Sequence, residues 1–209
     1  MDAIMTGISF FQKGGMVMYV LLLISVFVVA IAIERAAYFK TADSGRRFAH
    51  DFYLDMANER FEKALALAKS AHGALASILF DALKKTQKGE NASSFMEIQS
   101  GIELSKLRRR LYYLSVIVTM APLLGLLGTI SGMISAFSVF NVQSGQASAI
   151  TGGVGEALIA TAMGLCVAII ALSVHAYFSQ RIENIVTDME QCFSVVEASA
   201  DKLRDGQVN

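Results

Sequence analysis

Glu156 is the single acidic residue between Leu111 and Gln180, a stretch with no lysine, arginine or aspartate. An ionisable group in so apolar a setting costs at least ~2.5 kcal/mol, and is normally retained where it faces a bundle interior or a water path. The chemistry open to it there is the exchange of a proton. A structural role near the outer membrane surface is the competing reading, because a third helix capped by Ser148 would put Glu156 only about 12 Å in. Thr129 and Thr161 bring hydroxyls to comparable depth on adjacent helices, although either could bond a carbonyl of its own helix instead. Bond-breaking chemistry has no machinery. No HExxH, no GxxxxGK[ST], no pair of intramembrane aspartates and no Ser/His/Asp set is present. His175 reads as an interfacial side chain near the inner end of the third helix, and His50 and His72 lack partners at ligand spacing. Cys166 and Cys192 show neither metal-ligand spacing nor a disulfide framework and read as packing residues. The expectation is a protein that is not an enzyme and needs no metal or cofactor.

Small residues surround these groups. Gly153, Ala157 and Thr161 form one small-xxx-small stripe, and Ala160, Gly164 and Ala168 another. Gly128 and Gly132 make GxxxG on the preceding helix, with Gly125, Thr129 and Ala136 nearby. Such stripes let helix backbones approach closely in a membrane. No single subunit is expected to satisfy all of these interfaces by itself, so they predict a homo-oligomeric ring.

The elements that position these residues follow from charge. Of 209 residues 54% are hydrophobic and 17% charged, which excludes disorder. Residues 1–33 hold two of the 36 charged side chains, 34–110 hold 24, 111–180 hold Glu156 alone and 181–209 hold nine. Seventy residues with one charge do not make a soluble fold, so the chain is expected to be an all-α integral membrane protein. The spans fall at 14–33, 111–140 and 149–178, each long enough for a core of ~30 Å. Pro122 should kink the second span, its freed carbonyl satisfied by neighbouring helices or hydroxyls. A cleaved signal peptide at Ala30-Ile31-Ala32 would put the basic region that follows outside, against the positive-inside rule, so the first span is taken as retained.

Lysine and arginine number 14 in 34–115, three from 179 onward, one before the first span and none in 141–148. That asymmetry places 34–110 and the tail 179–209 in the cytoplasm, and the N-terminal segment 1–13 and the turn 141–148 in the periplasm. No basic face with interleaved aromatics appears, so nucleic acid is not an expected partner, and the apolar spans make the lipid bilayer one. Leu75, Ile78, Leu79, Ala82 and Leu83 share one helix face, and Leu104, Leu107, Leu111 and Leu114 carry a 3-4-3 spacing into the second span. The second and third helices should therefore extend into a cytoplasmic helical bundle, with Lys84–Asn91 as its clearest linker.

The run Ala121-Pro122-Leu123-Leu124-Gly125-Leu126-Leu127-Gly128-Thr129-Ile130-Ser131-Gly132-Met133-Ile134 resembles the signature of the ExbB/TolQ/MotA proton-channel family, ExbB most closely. Gly155-Glu156-Ala157-Leu158-Ile159-Ala160-Thr161-Ala162-Met163-Gly164-Leu165 resembles the family's second motif, and Ile33-Glu34-Arg35 ends a similar first helix. Ile170 and His175-Ala176-Tyr177 depart from the family pattern at the inner mouth. A MotA-like stator fits less well, since that branch has four spans. The resemblance implies a homopentamer in the bacterial inner membrane around a two-copy, single-span partner similar to ExbD or TolR. Proton motive force would then work on a periplasmic effector such as a TonB- or TolA-like protein. It also implies that Glu156, Thr129 and Thr161 line the channel, with the proton-carrying aspartate supplied by the partner. A TolQ-like role in envelope maintenance and a non-conducting scaffold are the alternatives.

Overall fold

The computed structural model describes residues 15–142 and 147–205, and among these the side chains of 139–142, 147–151, 156, 204 and 205 are left out. Segment 1–13, the centre of the 141–148 turn and the Glu156 side chain thus lie outside the described residues. The backbone is helical throughout: α1 Gly15–Ala42, α2 Arg46–Ala57, α3 Phe61–Ser70, α4 Ala74–Gln87, α5 Ala92–Arg108, α6 Leu111–Val142, α7 Ala147–Ala198 and α8 Ala200–Asp205. Two compact units result. The first holds α1 up to Ile33, α6, and α7 up to Tyr177; the second holds Glu34–Arg110 and the chain from Phe178.

Among the described residues, three helices are long and apolar enough to cross a membrane. In the first unit Leu23, Ile33, Leu123, Ile134, Leu158 and Ile169 are each more than 60% exposed, while Leu21, Leu114, Ala121, Ala160 and Ala171 are fully buried. An aqueous protein would not display so many large apolar side chains around one unit; in hydrocarbon they face a matching solvent. The helices satisfy their own backbone groups, as a spanning segment must. The chain is a membrane protein with transmembrane helices. α6 runs unbroken through Pro122, and the backbone of Ser148 falls within α7, with its side chain outside the described residues.

The second unit has a conventional interior. Phe39, Phe52, Met56, Leu79, Leu83 and Met96 are almost wholly buried, and the Phe39 and Phe178 rings stack with centroids 5.1 Å apart. The face read from sequence on α4 is buried at all five positions. The linker is shorter than its composition implied: Lys84–Gln87 complete α4, Thr86 donates from Oγ1 to the Ala82 carbonyl, and only Lys88–Asn91 separate the helices. Lysines at a helix C-terminus complement its dipole, which accounts for a charged run that is helix and not loop. Gly89 supplies the positive φ of 77° that turns the chain, and Asn91 caps α5 by accepting from the backbone N–H groups of Ser93 and Ser94.

Leu104–Leu114 is not one uninterrupted helix. α5 ends at Arg108 and α6 begins at Leu111, and Arg35 meets the end of α5. Its guanidinium, 4% exposed, donates to the carbonyls of Lys106 and Leu107 at 3.1 and 3.4 Å. The guanidinium thus sits against the two-residue turn of Arg109 and Arg110 that separates the helices. Arg35 also forks onto both Glu34 oxygens at 2.6 and 2.7 Å, and Arg110 approaches the same carboxylate at 3.4 Å. Hydrogen bonding from Arg35 holds Glu34 below the usual carboxylate range, outweighing its partial burial.

Candidate functional site: the contact of α6 and α7

The two motif-bearing helices meet along five antiparallel rungs, all inside the first unit. A Cβ added to Gly164 would stand 2.5 Å from the Ala121 carbonyl oxygen; one at Gly125, 3.0 Å from both the Ala160 carbonyl oxygen and the Thr161 Cα. Further rungs pair Gly128 with Ala160, Gly132 with Ala157 and Gly153 with Ala136, where added Cβ atoms would come within 2.6, 2.8 and 2.5 Å of the facing methyls. Any larger residue would force the backbones apart. This alters the inference drawn from the stripes: Gly125, Gly128, Gly132, Gly153, Ala157 and Gly164 satisfy one another within one chain. By themselves they do not require a ring. Gly152 and Gly155, by contrast, meet nothing within 4 Å.

The two threonines part company. Thr161 donates from Oγ1 across the contact to the Gly125 carbonyl at 3.0 Å. Thr129 donates to the Leu126 carbonyl in its own helix at 2.7 Å, the private bond left open by the sequence. Each hydroxyl has one proton, and both protons are committed to carbonyls. What remains on each oxygen is a pair of acceptor sites. Each oxygen can therefore accept a hydrogen bond without first rearranging. Both side chains are half-buried. Glu156 belongs to the same helix as Thr161, with its backbone in α7.

In the second unit, Asp188 was not singled out from the sequence. It is 9% exposed, and burial, reinforced by the nearby Asp43, pushes its carboxyl above the usual range despite Arg46 at 4.0 Å. Asp43 is itself paired to Arg181 at 3.1 Å. Cys192, one turn on, has its thiol pushed up to about 12, chiefly by burial; its Sγ lies 3.6 Å from the Ala49 carbonyl. Cys192 continues the apolar 3-4-3-4 spacing of Ile182, Ile185, Met189 and Val196, a stripe legible in the sequence and buried throughout, and Asp188 lies beside it. Among the described residues, no group of three His, Cys, Asp or Glu side chains is placed to hold a metal.

Membrane helices joined by glycine rungs, with a threonine hydroxyl bonded across their contact, define a polytopic membrane protein. The chain belongs to the MotA/TolQ/ExbB proton channel family, whose pattern matches residues 61–191. It is 38% identical over 170 residues to the biopolymer transport protein ExbB-like 1 of Synechocystis sp., covering 78% of this chain and 67% of that one. It is 33% identical to the biopolymer transport protein ExbB of Neisseria gonorrhoeae, covering 64% and 66%. To the Tol-Pal system protein TolQ of Pseudomonas aeruginosa it is 34% identical, covering 46% and 42%.

Proposed function

We propose that this chain is the ring-forming subunit of an inner-membrane proton channel that couples proton motive force to work on a periplasmic effector. The N-terminal segment lies in the periplasm; the second unit, with the C-terminal tail, lies in the cytoplasm. Five copies surround two single-span subunits similar to ExbD or TolR. Glu156, Thr129 and Thr161 line the path, and a carboxyl from the partner's span carries the proton past them. The observation that supports this most directly is the pair of threonines with committed protons and free lone pairs beside the α6–α7 contact. They are suited to accept from a protonated carboxyl and to release it when it ionises. Pro122 follows Ala121, the residue whose carbonyl faces Gly164 in that contact.

An ExbB-like role, serving a TonB-like effector, is favoured over a TolQ-like one because the ExbB-like relative matches more of the chain at higher identity. The TolQ match itself keeps a TolA-like effector as the second reading. The test is proton flux into vesicles reconstituted with the chain and its single-span partner. Glu156→Gln should leave the assembly intact and abolish or sharply reduce driven flux. A non-conducting scaffold would pass no protons in either form, and full flux with Glu156→Gln would remove the carboxylate from the path.

A further inference from the structure

In the second unit α5 and α7 run antiparallel and leave a groove of about 280 Å³ between them. Its floor is apolar, with Met96 and Met189 at the base and Phe193 half-buried on one wall. Its rim carries three exposed carboxylates, Glu97, Glu190 and Glu197. Glu197 accepts a hydrogen bond from Ser93 Oγ. No lysine or arginine among the described residues forms an ion pair with any of the three, as is also true of Asp51, Glu62 and Asp81, whereas Glu34, Asp43, Asp55, Glu59, Glu90, Glu103, Glu183 and Asp188 each have one. The imbalance extends to the segment: from Phe178 onward the chain has six acidic and three basic residues. From Ser93 to Leu104 the groove follows three turns of α5, about 16 Å. A methionine floor adapts to varied apolar side chains, and an acidic rim selects cations.

We infer that this groove is the docking site for the cytoplasmic arm of the single-span partner, a short segment carrying lysine or arginine and one or two apolar anchors. The inference rests on the function proposed above. A single-span subunit acting on a periplasmic effector has its folded part outside, so only a short end remains in the cytoplasm. The positive-inside rule makes the inner flank of such a span basic. The carboxylates of the groove and the cations of that flank are then complementary, on the same side of the membrane. Docking would tether the partner's inner end to α7, the helix that carries Glu156 and Thr161, and so limit how freely the partner turns within the ring.

The experiment replaces Ser100, on the groove wall, with p-benzoylphenylalanine in the full chain coexpressed with its single-span partner. Illumination should crosslink the chain to the partner. Removing the partner's residues before its span, or combining Glu97→Lys, Glu190→Lys and Glu197→Lys, should reduce that crosslink several-fold while the partner still copurifies. Three results overturn the inference: copurification without a crosslink, a crosslink only to a second copy of this chain, or a crosslink indifferent to charge reversal. In each of them the copurified partner leaves the proposed function standing. Failure of the partner to copurify at all overturns both.

Discussion

Across the five rungs of the α6–α7 contact the largest side chain is a threonine, whereas the second unit closes around Phe39, Phe52, Met56, Leu79 and Met96. Lipid tails are as apolar as leucine, so burying leucine between spans gains little; close backbone approach and an interhelical hydroxyl bond supply the attraction instead. Water reverses that preference, and the second unit gains by removing large apolar side chains from solvent. Charge divides the same way. All the ion pairs described above belong to the second unit, with Arg35 and Glu34 at its edge. One chain therefore carries two packing rules, and substitutions should fail differently under each.

The largest effect is expected at Gly164. Its absent Cβ would meet a backbone oxygen at 2.5 Å, which cannot rotate away, so Gly164→Leu should cost at least ~3 kcal/mol and abolish the folded protein in detergent. Gly155→Leu, in open space within one subunit, should fold normally. Thermal melts by fluorescence-detected size exclusion compare the two. Equal losses would show that the rungs are not what holds α6 to α7. A Gly155→Leu protein that folds but elutes as a smaller species would place that face between subunits.

Next comes Arg35. Arg35→Met removes a buried fork and two carbonyl partners and should destabilise by about 2 kcal/mol. Arg35→Lys should not restore stability, because an ammonium cannot make both sets of bonds. Full rescue by lysine would reduce the site to simple charge. Asp188 should act in the opposite sense. A carboxyl raised in the folded state destabilises it when ionised, so the penalty is fully present above the raised value and is lost as pH falls through it. Asp188→Asn should raise the melting temperature at neutral pH, with the gain shrinking on acidification. Glu34, held low, behaves conversely: its stabilisation is present above the ordinary carboxylate value of 4.5 and is lost as pH falls through its lowered value. A pH-independent gain for Asp188→Asn would show that ionisation is not the cause.

The smallest stability effects separate the threonines. Thr161→Val breaks an interhelical bond and should cost about 1 kcal/mol, while Thr129→Val removes a bond within one turn and should change stability by less than ~0.5 kcal/mol. Proton flux should fall sharply in both, since both lose lone pairs. A loss of flux confined to Thr161→Val would tie its role to packing alone.

The three spans and the buried face of α4 were legible from local pattern, because hydropathy and a 3.6-residue period depend on neighbours in the chain. The sequence by itself also determined that Glu156 is alone in 70 residues. Tertiary structure alone decided which helix each glycine faces, since a small-xxx-small stripe specifies closeness and leaves the partner open. It likewise decided that Thr161 bonds across a helix contact and Thr129 does not, that Arg35 reaches more than 70 residues along the chain to the end of α5, and that Asp188 turns inward beside the apolar stripe of α7. Each of these depends on an atom supplied by a distant segment, and no spacing along α5, α6 or α7 encodes what another helix brings to meet it.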